Sequence, residues 1–350
     1  MLRACLRCCL AFRRRSQSPR AHAGPGATVD NAYTDGMKQR HRILLVAVLV
    51  IAGMAAAAPL EAPDYGEMFW THWGDGRAEI ATYDLTFPRY GEERAGSAVA
   101  IFVTEPFSSS SRVKSDRGSG ADVFQALKLN LVKDFATGIY DYNTMLSAFV
   151  AVESKAGVVA GQPVKLSYSS QEWCGQAYQQ VLFDDGALRH VSHSYFDGEA
   201  DQDEAIPRPA GGLAEDGLYL WARGLAAPRL AAGEARDVPL LLSLQRSRLD
   251  HKPLGWSQAT LLRGAKAEEI VVPAGTFEVE TYRATIDDGP TWVFHVEVAA
   301  PHRLVRWEVS DGERGDLVAS ERLPYWQLQR NRDLPLLEKI GLKPRPARTP

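Results

Sequence analysis

Cysteine is almost missing from this chain. Of its four cysteines, Cys5, Cys8 and Cys9 lie in the first nine residues, which leaves Cys174 alone in the rest. That spacing excludes a disulfide framework, so stability must come from a packed core. About 290 residues beyond position 58 are enough to bury roughly three quarters of their unfolded surface. Chemical motifs are equally scarce. From position 59 onward there is no paired C-x-x-C, H-E-x-x-H, Gly-rich phosphate loop or G-x-S-x-G elbow. A basic–aromatic stripe is also lacking. These absences argue against a zinc centre, a nucleotide-phosphate site and a serine-hydrolase elbow, and they predict neither cofactor nor metal.

Positive charge is scarce in the main body. Nine of the 40 Lys/Arg but only two of the 43 Asp/Glu lie in residues 1–58, leaving 31 basic and 41 acidic residues beyond. A body with a net charge of −10 is not expected to bind nucleic acid or an anionic membrane surface through bulk charge.

The N-terminal region reads as two unlike pieces. From Met37, a basic start (Lys38, Arg40, Arg42) precedes the apolar run from Ile43 to Ala58, which closes on small residues. This layout predicts a secretory signal peptide over 37–58, cleaved after Ala57 or Ala58. Sixteen residues ending in four alanines and followed by Pro59 are short for a membrane span. The membrane is therefore expected to matter only through this segment, if it is not cleaved. No cysteine stands near the cleavage region for lipid attachment. Residues 1–36 lack periodicity and are read as an over-extended N-terminus. Export to the periplasm or beyond is the expected address.

Period-two alternation is the strongest structural signal. In TFEVETYRA, Phe277 and Val279 alternate with Glu278 and Glu280. In TWVFHVEV, Trp292, Phe294, Val296 and Val298 share one parity, and in LVRWEVS, Val305, Trp307 and Val309 do. Turn formers separate the runs at Pro273-Ala274-Gly275, Asp287-Asp288-Gly289 and Ser310-Asp311-Gly312. Further hairpins are predicted at RYGEERAG and at Asp184-Asp185-Gly186, and a loop at 108–120. The fold class is therefore all-β and mainly antiparallel, a curved sheet or partial barrel over 59–330. AEDGLYLWARGL predicts a helix with Leu218, Trp221, Ala222 and Leu225 on one stripe. A second short helix is expected between Leu334 and Ile340, within a terminal segment 331–350 whose last residues fray.

VPAGTFEVETY, GPTWVFHVEVAAPHRLVRWE, SERLPYW, KDFATGIYDYNTM and HSYFDGEAD together resemble an uncharacterised family of exported bacterial β-rich proteins, a domain of unknown function. The resemblance runs from about Phe69 to Arg345. Some relatives carry the label "septum formation inhibitor Maf". Maf proteins are α/β nucleotide pyrophosphatases with an S-x-S-P-R-R loop. The nearest match here, Ser16-Gln17-Ser18-Pro19-Arg20-Ala21, lacks the last arginine, follows no strand and opens no helix.

Candidate site residues are few. SSQEWCGQAYQQ holds Cys174, a candidate thiol nucleophile with His193 or His190 as base and Asp197 as orienter, the constellation of a hydrolase or transferase. On a strand His190 and His193 fall on opposite faces, so at most one could serve the thiol. The plainer expectation is a strand with a small apolar cysteine packed beside Trp173. Asp197, Glu199, Asp201 and Asp203 evoke a calcium loop. However, the EF-type spacing fails at Gln202 and Arg208, which leaves a solvated acidic turn. FWTHWGDG offers Trp70, His72 and Trp73 either as the lining of a ligand pocket or as an aromatic plug. The function expected from all this is a non-catalytic envelope protein that binds an apolar small molecule or an envelope protein.

Overall fold

Alternating runs become long paired strands. The computed structural model describes residues 60–343. The expected signal segment, the N-terminal extension with its three cysteines and its Ser16–Ala21 motif, and the last seven residues lie outside the described residues. The first nine strands are β1 (Ala78–Arg89), β2 (Glu92–Ser108), β3 (Val113–Lys114), β4 (Val123–Thr137), β5 (Tyr140–Ala151), β6 (Pro163–Glu172), β7 (Gly175–Phe183), β8 (Ala187–Ser194) and β9 (Gln202–Pro207). The others are β10 (Leu213–Ala214), β11 (Ala235–Leu241), β12 (Trp256–Val272), β13 (Gly275–Ile286), β14 (Thr291–Glu297), β15 (Leu304–Val309) and β16 (Arg314–Leu323). Four short helices accompany them: α1 (Glu67–Trp73), α2 (Leu218–Ala222), α3 (Leu244–Asp250) and α4 (Leu336–Lys339).

All sixteen strands join one sheet. Its order is β10-β11-β12-β13-β14-β15-β16-β1-β2-β4-β5-β6-β7-β8-β9, with β3 set against β2. Every pairing is antiparallel except β10 with β11. The sheet stays open because β9 and β10 end the order without pairing. The edge strand β9 guards its free ladder with Asp203, Glu204 and Pro207, residues that discourage pairing with another chain. The fold is thus all-β and mainly antiparallel, as the alternation predicts, and the three C-terminal alternating runs are β13, β14 and β15.

The inner face is filled with side chains. Trp307, Tyr83, Tyr142, Tyr168, Phe102 and Phe294 are each less than 2% exposed. Trp307 lies flat over Gly315, where a Cβ would stand 2.1 Å from its ring. Only glycine permits that approach. The helix prediction needs correcting in extent and in character. The α-helix is Leu218–Ala222, about one and a half turns, preceded by a 3-10 turn at Glu215–Gly217. Tyr219 and Leu220 are as buried as Leu218 and Trp221, so there is no single apolar stripe. The sheet wraps around this segment: α2 packs on β13 and β14, and the 3-10 turn touches β5. A helix enclosed on all sides is apolar on all sides.

Charged groups enter the core only with partners. Arg223 donates to both carboxylate oxygens of Glu79, at 2.7 and 3.0 Å, and its plane lies 4.3 Å from the Phe102 ring centre. Lys133 donates to Glu313, which also accepts from Trp307 Nε1 at 3.0 Å. Asp216 accepts from Ser243 Oγ at 2.7 Å and from the Leu244 amide at 2.9 Å, fastening the start of α3 to the turn before α2. Burial pushes the Asp216 carboxyl up to about 6 despite these two bonds, with the neighbouring Glu215 adding to the rise. Glu79 goes the other way. Burial alone would raise it, but the Arg223 guanidinium outweighs that and holds it at about 2.

Candidate functional site

Hairpin connectivity places four tips at one end of the sheet. Between β1 and β9 the strands alternate in direction, so the β1–β2, β4–β5, β6–β7 and β8–β9 connections share an end. The first three are two-residue turns, because Arg89 pairs with Glu92, Thr137 with Tyr140 and Glu172 with Gly175. Their tips carry Tyr90, Ile139 and Trp173, and Tyr195 opens the longer fourth loop. These side chains are 54%, 72%, 72% and 75% exposed. Neighbouring hairpins lie two strand spacings apart, about 10 Å, so the four tips extend over roughly 30 Å.

Aromatic contacts run along this rim from the first tip to the third, and a second aromatic pair stands at the fourth. Tyr90 Oη meets Tyr142 Oη at 2.6 Å, Tyr142 is 5.9 Å from Tyr140, and Tyr140 is 6.3 Å from Trp173 between ring centres. Tyr195 lies over Gly175, where a Cβ would stand 2.4 Å from its ring, and it neighbours Phe196 at 6.1 Å. Tyr90 holds a left-handed backbone (φ 57°) beside Gly91 (φ 77°), the conformation of a type I′ hairpin turn. A bulky side chain is uncommon there. The rim therefore displays an aromatic group where asparagine or glycine is the ordinary choice.

Beneath the rim, polar bonds anchor each tip. Tyr142 donates to Glu172 Oε2 at 2.5 Å, and Glu172 Oε1 accepts from Arg248 Nη2 at 3.1 Å. Arg248 reaches in from α3 with its guanidinium carbon 3.5 Å from the Phe196 ring centre. Arg89 covers the Tyr90 ring at 4.4 Å and donates to the Leu249 carbonyl at 3.2 Å. Burial, together with the Glu172 carboxylate and the Tyr90 hydroxyl, raises the Tyr142 phenol well above its ordinary range, so it stays a donor. Arg248 Nε and Nη1, Arg89 Nε, Tyr168 Oη and Ser170 Oγ are buried without a hydrogen-bond partner, although Arg248 Nη1 lies 3.9 Å from Glu199 Oε2. Such groups are ordinarily satisfied by trapped water.

Cys174 sits on this rim, which corrects two expectations. It belongs to the turn between β6 and β7 and to no strand, and it is exposed beside an exposed Trp173. With Glu172 and Gly175 directly paired, the two residues between them have no ladder position and no core to face. The candidate bases lie elsewhere. His190 points inward, 3% exposed, with Nε2 at 3.1 Å from Gln179 Oε1, and its burial lowers its pKa. His193 is on the outer face opposite Tyr178, four residues along β7 from Cys174, roughly 13 Å at strand rise. It pairs with Asp201 at 2.8 Å, while the expected orienter Asp197 stands apart and exposed. The thiol, either histidine and Asp197 are not brought together.

Trp70, His72 and Trp73 occupy the opposite end, about 35 Å away along β1. They form an aromatic plug. Trp73 is 4% exposed, and the guanidiniums of Arg223 and Arg322 lie 5.5 and 5.3 Å from its ring centre. His72 Nε2 accepts from Arg322 at 3.0 Å, and Trp70 packs edge-on to Phe69 at 5.1 Å. A cleft of about 270 Å³ opens at this end, and Arg223, Arg229, Arg263, Glu280, Glu297 and His302 make half of its wall polar. The space beside α2 amounts to about 20 Å³, room for about one water. The acidic loop disperses its carboxylates: Glu199 bonds His251, Asp201 bonds His193 and Asp203 bonds Arg189. Among the described residues no three His, Cys, Asp or Glu side chains gather as a metal-binding group.

With the architecture in hand, the class is an all-β protein built on one open, mainly antiparallel sheet. No family model matches the chain, and no curated protein matches it. Among solved structures it is similar to a β-barrel-like protein of the domain of unknown function DUF1849 from Brucella abortus. That similarity has 12% identity and a TM-score of 0.39, covering 70% of this chain and 98% of the other.

Proposed function

We propose that this is an exported, non-catalytic envelope protein that acts by docking a protein partner on its rim of hairpin tips. The carrying observation is the rim itself. Tyr90, Ile139, Trp173, Tyr195 and the nearby Tyr178 are five of the twelve exposed large apolar side chains among the described residues. Clustered exposed aromatics favour an interaction surface, whereas scattered ones need no explanation. The anchoring chain from Tyr90 through Tyr142 and Glu172 to Arg248 holds the tips before any partner arrives, which lowers the entropic cost of association.

The filled interior favours this reading over an enclosed apolar ligand. Thiol chemistry at Cys174 needs a histidine base, and His190 and His193 are instead bonded to Gln179 and Asp201. A nucleotide pyrophosphatase needs an α/β layer, and the described strands are almost wholly antiparallel.

The test uses Cys174 as a handle. In a chain with Cys5, Cys8 and Cys9 changed to serine, a thiol-linked photo-crosslinker at Cys174 should capture a defined envelope protein in cells. The W173A/Y195A variant should lose that product. An undiminished product in the variant, or none in either chain, overturns the docking reading. Export is read from the intact mass of protein expressed from Met37. A chain beginning at Ala58 or Pro59 is expected, and an unprocessed mass refutes cleavage.

A further inference from the structure

The charges around the rim identify the chemistry of what docks there. Glu93 and Asp141 are exposed at the second positions of β2 and β5, beside the β1–β2 and β4–β5 turns, Asp197 is exposed in the β8–β9 connection, and none has an ion-pair partner among the described residues. Most nearby cations are already engaged; Lys343, which lines an open cleft with Asp141, makes no ion pair. Arg94 pairs with Glu92 at 2.8 Å, His193 with Asp201, His251 with Glu199, and Lys252 with Asp250 at 3.8 Å. Arg89 and Arg248 turn inward onto Leu249 and Glu172. The rim therefore presents exposed aromatic faces among uncompensated carboxylates.

Resting on the docking reading above, we propose that the partner contributes a basic segment. Its Lys or Arg side chains would lie over Trp173 and Tyr195 while their charges meet Glu93, Asp141 and Asp197. A cation stacks favourably on the faces of tryptophan and tyrosine, and adjacent carboxylates add attraction and guide the approach. An anionic lipid surface has the opposite complementarity. The same carboxylates that attract a basic segment repel phosphate headgroups, so a membrane is the disfavoured occupant of these tips.

The experiment places an environment-sensitive fluorophore on Cys174 in the C5S/C8S/C9S chain. It titrates a synthetic Arg-Gly repeat peptide, a Glu-Gly repeat peptide, and vesicles of phosphatidylethanolamine with phosphatidylglycerol. The expected result is a response to the Arg-Gly peptide that weakens with salt. E93Q/D141N/D197N and W173A/Y195A should each lower that affinity by about tenfold or more. The Glu-Gly peptide and the vesicles should give no response. Equal Arg-Gly binding by all three chains, or a response to vesicles alone, overturns the proposal. Circular dichroism confirms that the variants fold, since every altered side chain is exposed. Crosslinking in cells separates the two ideas. A product kept by E93Q/D141N/D197N and lost by W173A/Y195A sinks the basic segment and preserves docking. A product kept by both variants sinks docking itself.

Discussion

Tyr90 and Tyr142 belong to different hairpins, yet their hydroxyls stand 2.6 Å apart, and Tyr142 passes the contact on to Glu172. Their roles are unequal. Tyr90 is half exposed, whereas the Tyr142 hydroxyl satisfies a carboxylate that is itself buried. Y142F should cost about 1–3 kcal/mol, because it strips a buried carboxylate of a donor. Y90F, whose hydroxyl can be replaced by water, should stay within about 0.5 kcal/mol. Urea denaturation of the two variants checks the difference, and equal losses would remove the anchoring role assigned to Tyr142.

Arg223 and Glu79 form a doubly hydrogen-bonded pair with side chains 0% and 2% exposed. Removing one partner leaves the other charged and buried. E79Q should therefore destabilise the fold by about 3–5 kcal/mol. The double variant E79M/R223M should lose less than the two single losses added, because no orphan charge remains. A double-mutant cycle in urea measures this coupling.

Asp216 titrates at about 6 in the fold, above its ordinary 3.8. Between those values the native state holds a proton that the unfolded chain has released. Its contribution is fully present below about pH 4 and is lost as pH rises through about 6. Two pKa units correspond to roughly 3 kcal/mol. The stability of wild type relative to D216N should thus fall from pH 4 to pH 7. Glu79 acts oppositely and farther out, losing its contribution only as pH falls from about 4.5 towards 2. Parallel stability–pH curves for wild type and D216N would refute the assignment.

Exposure of Cys174 in a two-residue turn has a direct chemical consequence. A thiol reagent should label it in native protein at a rate close to that in urea. C174S should change stability by less than about 0.5 kcal/mol. Slow native labelling with rapid labelling after unfolding would return this residue to the core.

Gly315 and Gly175 each carry an aromatic ring, and the rings differ in freedom. Trp307 over Gly315 is fully buried, whereas Tyr195 over Gly175 is 75% exposed. G315A should cost about 1–3 kcal/mol through overpacking. G175A should cost less, because Tyr195 can swing into solvent, but it should weaken any binding at the rim. Thermal denaturation of both variants separates the two cases.

Much of the β grammar was open to reading in the residues. Trp292, Phe294 and Val296, like Val305 and Val309, announce their buried face by parity, a property of each strand alone. Gly186, Gly275 and Gly312 mark turns by the conformations only glycine adopts readily. Trp173 and Cys174 read as strand because a two-residue turn between paired strands looks, in a list of residues, like the strand continuing. Parity puts His190 and His193 on opposite faces, but how far His193 lies from the thiol depends on the hairpin register.

Which residues alternate, where turns interrupt them, and that the familiar catalytic and metal motifs are missing can all be read along the chain. Those are local properties, set by neighbouring side chains and backbone preferences. That Tyr90, Ile139, Trp173 and Tyr195 share one rim, and that Arg223, Arg248 and Lys133 are buried, emerges from the folded chain alone. Rim and core alike arise from pairings between residues far apart in the chain, and from a curl that depends on every strand at once. The net negative charge of the main body was countable from composition. That Glu93, Asp141 and Asp197 lie uncompensated around the exposed rings follows from the order in which the hairpins lie side by side.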